Sequence, residues 1–231
     1  MEFIDTEIIR AFNQFALQYP FFDRLFSLLN GHLFRTVPLA ALIWWAWFKE
    51  NNSDDTNRER ILATILSCMI AILISKVVSI SFPFRPRPLA IHSLVTRLSI
   101  RDSGWEAMSS FPSDHAVLFF TLVTGMAFVS RSLGVYAFIY TTVFVCFPRV
   151  YQGQHYPTDI IAGALIGAGV GCIANARPVR SFLAWEPLKL LRAKPGVFYA
   201  LFFVLTYLIG SVGTDIRDLV EGLFHLFVRS R

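Results

Sequence analysis

The sequence predicts an all-α protein: a polytopic membrane helix bundle of about six transmembrane helices, with amphipathic interfacial helices at the termini. Three observations predict it. Of the 231 residues 55% are hydrophobic and only 16% charged, with a mean hydropathy of +0.53, outside the range of an ordinary water-soluble domain. The apolar residues gather in runs close to the length that crosses a bilayer. Between the runs lie polar inserts in which histidines, acids and cations are concentrated.

The elements follow in order. Residues 1–30 set Phe3, Ile4, Ile8, Phe12, Phe15 and Ala16 near helical spacing, with Glu2, Asp5, Glu7 and Arg10 between them, the pattern of a helix lying at the interface. This acidic start lacks the apolar core of a cleavable signal, so insertion falls to a retained span. A first span is expected at 33–48, ending in the boundary cluster Trp44, Trp45 and Trp47. The polar loop "KENNSDDTNRER" leads to a second span at 61–82, whose last third holds Lys76, an ammonium that must snorkel or find a partner. A Pro-rich, mixed loop at 83–113 precedes a third span at 114–130, joined by a tight turn at Arg131 to a fourth at 133–147. A second polar insert, 148–158, opens into a fifth span at 159–175, where Gly163, Gly167 and Gly171 form a stripe along which another helix can approach closely.

Residues 176–196 carry Arg177, Arg180, Lys189, Arg192 and Lys194 against the single acid Glu186, a basic loop assigned to the cytoplasm. A sixth span at 197–213 precedes "TDIRDLVEGLFHLFVRSR", a second interfacial helix. No linker divides the chain, and residues 1–231 are expected to form one membrane-embedded domain. Six spans place the inserts 83–113 and 148–158 on one face, which is the outer (periplasmic) face of a bacterial plasma membrane if 176–196 is cytoplasmic.

The formal charge of +5 is explained by cations flanking the spans and by a site for an anion, not by nucleic acid. Cys68, Cys146 and Cys172 sit in apolar runs without paired spacing, so neither a disulfide framework nor a zinc site is indicated. The two inserts and the end of the second span collect Lys76, Arg85, Arg87, Ser113, Asp114, His115, Arg149, His155 and Asp159 at one face. Fixed cations there suit a phosphate, with arginine binding in a bidentate fork and lysine as a point charge. "HYPTD" should open a helix, so the Asp159 carboxylate can hold one nitrogen of His155 and leave the other free to attack. His115 follows "PSD" at the start of the third span, beside backbone N–H groups suited to phosphate oxygens, and can protonate a leaving group.

Each residue alone has a plainer reading. His115 and His155 would serve as capping or loop residues, Asp159 as an N-cap, and Arg85, Arg87 and Arg149 as interfacial anchors. A metal site built from His115, His155, Asp114 and Asp159 is possible by residue type, but the surrounding cations would repel a divalent ion. The joint, ordered pattern favours phosphoryl transfer. His32, His92 and His225 have no comparable context.

The segments "KVVSISFPFRPRP" (76–88), "PSDH" (112–115) and "RVYQGQHYPTD" (149–159) together resemble the three motifs of the type 2 phosphatidic acid phosphatase superfamily. Those motifs are a lysine-containing segment ending in Arg-Pro, Pro-Ser-X-His, and Arg, five residues, His, three residues, Asp. The resemblance implies a membrane lipid phosphatase that needs no metal or other cofactor and works through a phosphohistidine. It makes His155 the nucleophile, Asp159 its orienting partner and His115 the general acid. Lys76, Arg149 and one or both of Arg85 and Arg87 would hold the phosphoryl oxygens, assisted by Ser113 and the backbone of Asp114.

Three positions depart from the family. Lys76 is separated from Arg85 by eight residues and from Arg87 by ten, where about six is usual. Pro148 replaces the common serine before the third motif, and Asp114 stands where glycine is commonest. The "FPSDHA" variant resembles the subgroup of bacterial undecaprenyl pyrophosphate phosphatases of the bacitracin-resistance type, which makes an isoprenoid pyrophosphate the first expected substrate. Phosphatidic acid, phosphatidylglycerophosphate or lipid A are alternatives within the class. A lipid-linked phosphotransferase using the same site, and a non-catalytic lipid-binding or transport protein, are the readings outside it.

Overall fold

The computed structural model describes residues 2–16, 18–49, 55–91 and 109–211, and apart from turns and short connections these are helical, with no strand among them. The expected C-terminal interfacial helix, His225, His92 and the middle of the 83–113 insert lie outside the described residues. Two short helices, α1 (Glu2–Ala16) and α2 (Pro20–Leu29), replace the expected single interfacial one. Then come α3 (His32–Lys49), α4 (Thr56–Ser81), α5 (Asp114–Val129), α6 (Arg131–Tyr140), α7 (Phe147–Tyr151), α8 (Pro157–Asn175), α9 (Arg177–Ala193) and α10 (Pro195–Ser211). A π-helical stretch, Thr141–Cys146, joins α6 to α7 without a break.

Two boundaries differ from expectation in ways that matter. The fourth crossing does not stop at residue 147 but continues to Tyr151, so that Arg149 is carried on helix and not in a loop. The basic stretch 176–196 is no loop either: Pro178 sits in the first turn of α9, where the N–H that proline lacks would have no intrahelical partner anyway, and the helix runs through Pro187. Arg180 reaches Glu59 at 3.1 Å and Arg192 reaches Asp55 at 2.5 Å, so α9 is tied to the start of α4 at one end of the bundle.

Three helical stretches, Thr56–Ser81, Arg131–Tyr151 and Pro157–Asn175, are long and apolar enough to cross a membrane, and α5 and α10 are shorter apolar helices. The distribution of side chains fits lipid as the solvent. Leu73, Val77, Ile80, Leu165 and Ile173 point outward, while Thr64, Ser67, Ser75, Thr121 and Asn175 are buried between helices. Large side chains fill the rest of the interior, with Trp47, Phe119, Leu122 and Phe202 in one continuous apolar core.

The contact between α5 and α8 is the most extensive in the bundle. A Cβ on Gly163 would fall 2.8 Å from Ser113 O, and one on Gly167 only 2.3 Å from Val117 O. The stripe of small residues therefore lets two backbones touch, and Thr121 Oγ1 can donate to Gly167 O across the gap at 3.1 Å. The consequence is that the starts of α5 and α8, each following a polar insert, lie side by side at the end of the bundle opposite α9.

Gly167 and Gly169 share α8, but a Cβ on exposed Gly169 would meet nothing within 4 Å. Gly167→Ala should destabilise by about 1–3 kcal/mol through overpacking, whereas Gly169→Ala should be neutral or stabilising by up to about 1 kcal/mol from helix propensity. Thermal denaturation of the two variants in one detergent checks the pair.

Candidate active site

The site is assembled from three segments by main-chain bonds. Ser110 N–H donates to Arg85 O at 2.8 Å, Leu89 N–H to Gly153 O at 2.9 Å, and Ser113 N–H to Asp159 O at 3.3 Å. Gly153, at φ 66°, makes the left-handed turn that separates α7 from the approach to α8. Ser113 caps α5, its Oγ accepting from Ala116 N–H at 3.4 Å. Asp159, in the first turn of α8, accepts from Tyr156 N–H at 2.9 Å. The N-cap is therefore Tyr156 and not, as in the plainer reading, Asp159, which is the third residue of the helix reaching back to that cap while its other contacts turn inward.

His155 is buried, and its partners fix its tautomer. Nδ1 lies 2.9 Å from Ser110 O, which can only accept, so Nδ1 carries the proton. Nε2 faces an Arg87 nitrogen at 3.5 Å, a group that can only donate, so Nε2 presents its lone pair. Asp159 Oδ2 stands 3.9 Å from Nδ1. The carboxylate expected to hold the ring is therefore a neighbour at longer range, and the main-chain carbonyl of Ser110 makes the direct bond. Ser110 Oγ donates to Asp159 in turn, so one serine ties both groups together.

The two arginines of the first motif part company. Arg85 donates one nitrogen to Asp159 Oδ1 at 2.5 Å and to Thr158 Oγ1 at 2.9 Å, and the other to Asp5 Oδ2 at 2.7 Å, with its guanidinium 4.0 Å above the Tyr156 ring. Both terminal nitrogens of Arg85 thus face carboxylates, so of the two arginines that the resemblance offers as phosphate holders, one or both, Arg85 is turned to acids and Arg87 to His155. Arg87 is buried beside Nε2 of His155, and its guanidinium also donates to Gln154 O at 3.2 Å. Arg149, buried likewise, donates to Gln154 Oε1 at 3.0 Å. The backbone and side chain of Gln154 thus set the spacing of the two cations.

Lys76 forms an ion pair with Asp114 at the end of α4, and Ser75 Oγ donates to the same carboxylate at 2.6 Å. The partner that an ammonium in this span requires is the residue standing where glycine is commonest. His115 follows Asp114 in the first turn of α5 and is buried, with Phe119 one helical turn further on.

The charges perturb one another in a consistent direction. Burial and the cations Arg87 and Arg149 hold His155 well below the ordinary value of 6.5. Burial lowers Arg87 as well, more than the fields of Asp114 and Asp159 raise it. Burial also works against Arg85, but Asp5 and Asp159 outweigh it and hold that guanidinium above its usual value. The arrangement is a neutral imidazole with a lone pair directed into a pocket of buried cations, which suits a nucleophile for an anionic centre.

Among the residues that sequence reading missed, Ser110 lies in the same "SSFPSDHA" turn but carries no titratable signal, and Gln154 has none either. Asp5 falls by spacing on the polar face of an amphipathic helix, yet it is buried.

Comparison with known proteins follows the same segments. The PAP2 superfamily model matches residues 60–182, more than half of the chain. The chain is 23% identical over 164 residues to the bacitracin transport permease protein BcrC of Bacillus licheniformis, covering 71% of this chain and 75% of that protein. It is 24% identical over 174 residues to YbjG of Escherichia coli, which is named as an undecaprenyl-diphosphatase, covering 75% of this chain and 82% of the relative. The lipid A 1-diphosphate synthase of Escherichia coli is 28% identical over 173 residues, 70% of each chain. The crystal structure of Aquifex aeolicus LpxE superposes with a TM-score of 0.48 at 22% identity, covering 73% of this chain and 92% of the other.

At pH 6.5 an ordinary histidine is half protonated, whereas His155 should be neutral with the proton on Nδ1. Nitrogen NMR of imidazole-labelled protein, assigned with His155→Ala, should show that single tautomer at pH 6.5, and an imidazolium signal there would contradict the charge balance described.

Proposed function

The chain belongs to the PAP2 superfamily, and on that premise we propose that this membrane lipid phosphatase hydrolyses an isoprenoid pyrophosphate, undecaprenyl pyrophosphate first, through a phosphohistidine. The observation that carries the mechanism is the fixed tautomer of His155, whose Nε2 lone pair faces Arg87 in a buried pocket.

In this reading Arg87, Arg149 and Lys76 receive the terminal phosphate, aided by Ser113 and the amide of Asp114. Nε2 of His155 attacks its phosphorus, the bond to the bridging oxygen breaks, and His115 gives its proton to the departing lipid monophosphate. Ser110 O and Asp159 stabilise the charge that His155 acquires. Water then attacks the phosphohistidine, giving its proton back to His115 and releasing inorganic phosphate. The cations supply the charge neutralisation that a divalent metal supplies elsewhere, so the chemistry is independent of metal.

The substrate rests on the aspartate variant of the second motif and on the likeness to BcrC and YbjG. A second reading, transfer of the phosphoryl group to a lipid acceptor, is favoured by the likeness to a lipid A 1-diphosphate synthase. The chain works as one membrane-embedded domain with its site on the outer face, since Arg177, Arg180, Lys189 and Arg192 on α9 occupy the opposite end and follow the positive-inside rule.

Phosphate release in detergent from undecaprenyl pyrophosphate, phosphatidic acid, phosphatidylglycerophosphate and lipid A tests this directly. Preferential turnover of the pyrophosphate is expected, unaffected by a chelator and lowered at least about 1000-fold in His155→Ala. Release that requires an added lipid acceptor would support the transferase instead. Arg87→Gln should lower kcat/KM by about 100-fold or more through loss of a transition-state donor.

A further inference from the structure

Phosphoryl transfer at His155 makes no direct use of Asp5, yet this carboxylate on the N-terminal interfacial helix is buried. Asp5 is 1% exposed, although its helix neighbours Phe3 and Ile4 are 77% and 63% exposed. The face of α1 turned to the bundle carries Asp5 and Ile9, one helical turn apart, with Ile9 packed against Val150 and Tyr156. Phe12 continues the same face against Phe147, with ring centres 5.4 Å apart. A charge buried on that stripe needs partners, and Asp5 has three: the Thr158 amide at 3.1 Å, the Thr158 hydroxyl and Arg85 at 2.7 Å.

All three lead to Asp159. Thr158 precedes it in the first turn of α8, and Arg85 binds its Oδ1 at 2.5 Å. Asp159 is wholly buried and cannot keep its charge in place without a cation of fixed position. Arg85 supplies that cation, but its own side chain is 24% exposed and its stem is long. Without Asp5 the first nitrogen of Arg85 would keep Asp159 and Thr158 Oγ1, but the second would have no carboxylate and could turn toward a phosphate entering the pocket. The second anchor, from α1, removes that choice.

We propose that Asp5 is a positioning residue: by clamping Arg85 and the first turn of α8, it fixes Asp159, and through Ser110 and Asp159 the imidazole of His155, so that the site is complete only with α1 docked. The inference rests on the phosphatase reading for its kinetic consequences, while the geometry stands apart from it. Asp5 contacts no reacting atom in this arrangement. Its effect falls on the rate at which bound substrate reacts and not on how tightly substrate binds.

The experiment uses the full chain with Asp5→Asn, the milder Asp5→Glu, and Asp23→Ala as control. Asp23 anchors α2 by accepting from Tyr151 Oη at 2.7 Å and touches none of the Asp159 shell. Asp5→Asn should lower kcat about 10- to 100-fold, with KM within about threefold of wild type and Asp5→Glu in between, while Asp23→Ala keeps the wild-type kcat. In the double variant Asp5→Asn with Arg85→Ala the two losses should be clearly less than additive, because part of the effect of Asp5 passes through Arg85 to the same carboxylate. Wild-type kcat in Asp5→Asn, additive losses in the double variant, or an equal loss in Asp23→Ala would overturn the proposal. Imidazole NMR of His155 supplies a readout that needs no turnover: its nitrogen signals should move in Asp5→Asn and stay in place in Asp23→Ala. If wild type hydrolyses nothing in the substrate panel, the phosphatase reading fails and this second readout alone decides the positioning role, unchanged signals in Asp5→Asn refuting it.

Discussion

The close approach of α5 and α8 is the constraint on which the rest of the site depends. Two helices in lipid gain nothing from hiding apolar surface from each other, so they associate where their shapes let many atoms touch. Gly163, Gly167 and Gly171 provide that shape, and their regular spacing fixes the axial register as well as the distance. Register matters here because each helix begins with chemistry. When Gly167 meets Val117, Ser113 N–H meets Asp159 O, and the "PSDH" turn is brought beside the "HYPTD" turn. A packing motif deep in the bundle thereby decides which polar groups face one another at its end.

Within the site, the two neighbouring arginines divide two tasks that a single cation could not perform together. A buried carboxylate needs a permanent positive partner, and a phosphate pocket needs a positive group left for the ligand. Arg85 answers the first need with a fork shared between Asp5 and Asp159; in the proposed mechanism the second falls to Arg87, which lies beside Nε2 of His155 and donates to Gln154 O. Each precedes a proline, which keeps the segment extended, and their side chains part from it, Arg85 to Asp5 and Asp159 and Arg87 to Gln154 and His155. The electrostatic signs agree: the carboxylate-bound guanidinium is held above its ordinary value and the pocket guanidinium below it.

Much of this was legible in the sequence, and the limits have physical causes. The spans appeared because hydropathy is a local property, and the small-residue stripe because its period matches a helix turn. The convergence of the polar inserts followed from counting crossings. What stayed hidden depends on direction. The choice between Arg85 and Arg87 turns on which way each side chain points, and spacing from Lys76 carries no such information. Ser110 acts through a main-chain carbonyl, which every residue has, so its type gave no signal. Asp5 was concealed by the rule that acids on an amphipathic helix face water, a rule that fails where a cation from another segment waits beneath. The helix α9 was passed over because basic residues and two prolines resemble a loop, although one of those prolines sits where a helix tolerates it best.

The unusual aspartate of the second motif and the long spacing of the first have one explanation between them. The ten residues between Lys76 and Arg87, about four more than usual, place the lysine further back along α4, where Val77 and Ile80 beside it are 64% and 85% exposed. An ammonium there would be drawn toward the nearest water. Asp114, projecting from the first turn of α5, draws it instead across to the start of that helix, and Ser75 steadies the carboxylate from the same side as the lysine. The pair stays half exposed, so the charge is not locked away from an incoming headgroup. Beyond it the outward apolar surface of Ile80, Phe82 and Phe84 is continuous with the lipid-facing side of α4. The ammonium and the carboxylate, held together at this partly exposed edge, each spare the other the cost of standing alone beside hydrocarbon, which is why the lysine of the first motif and the aspartate of the second belong to one arrangement.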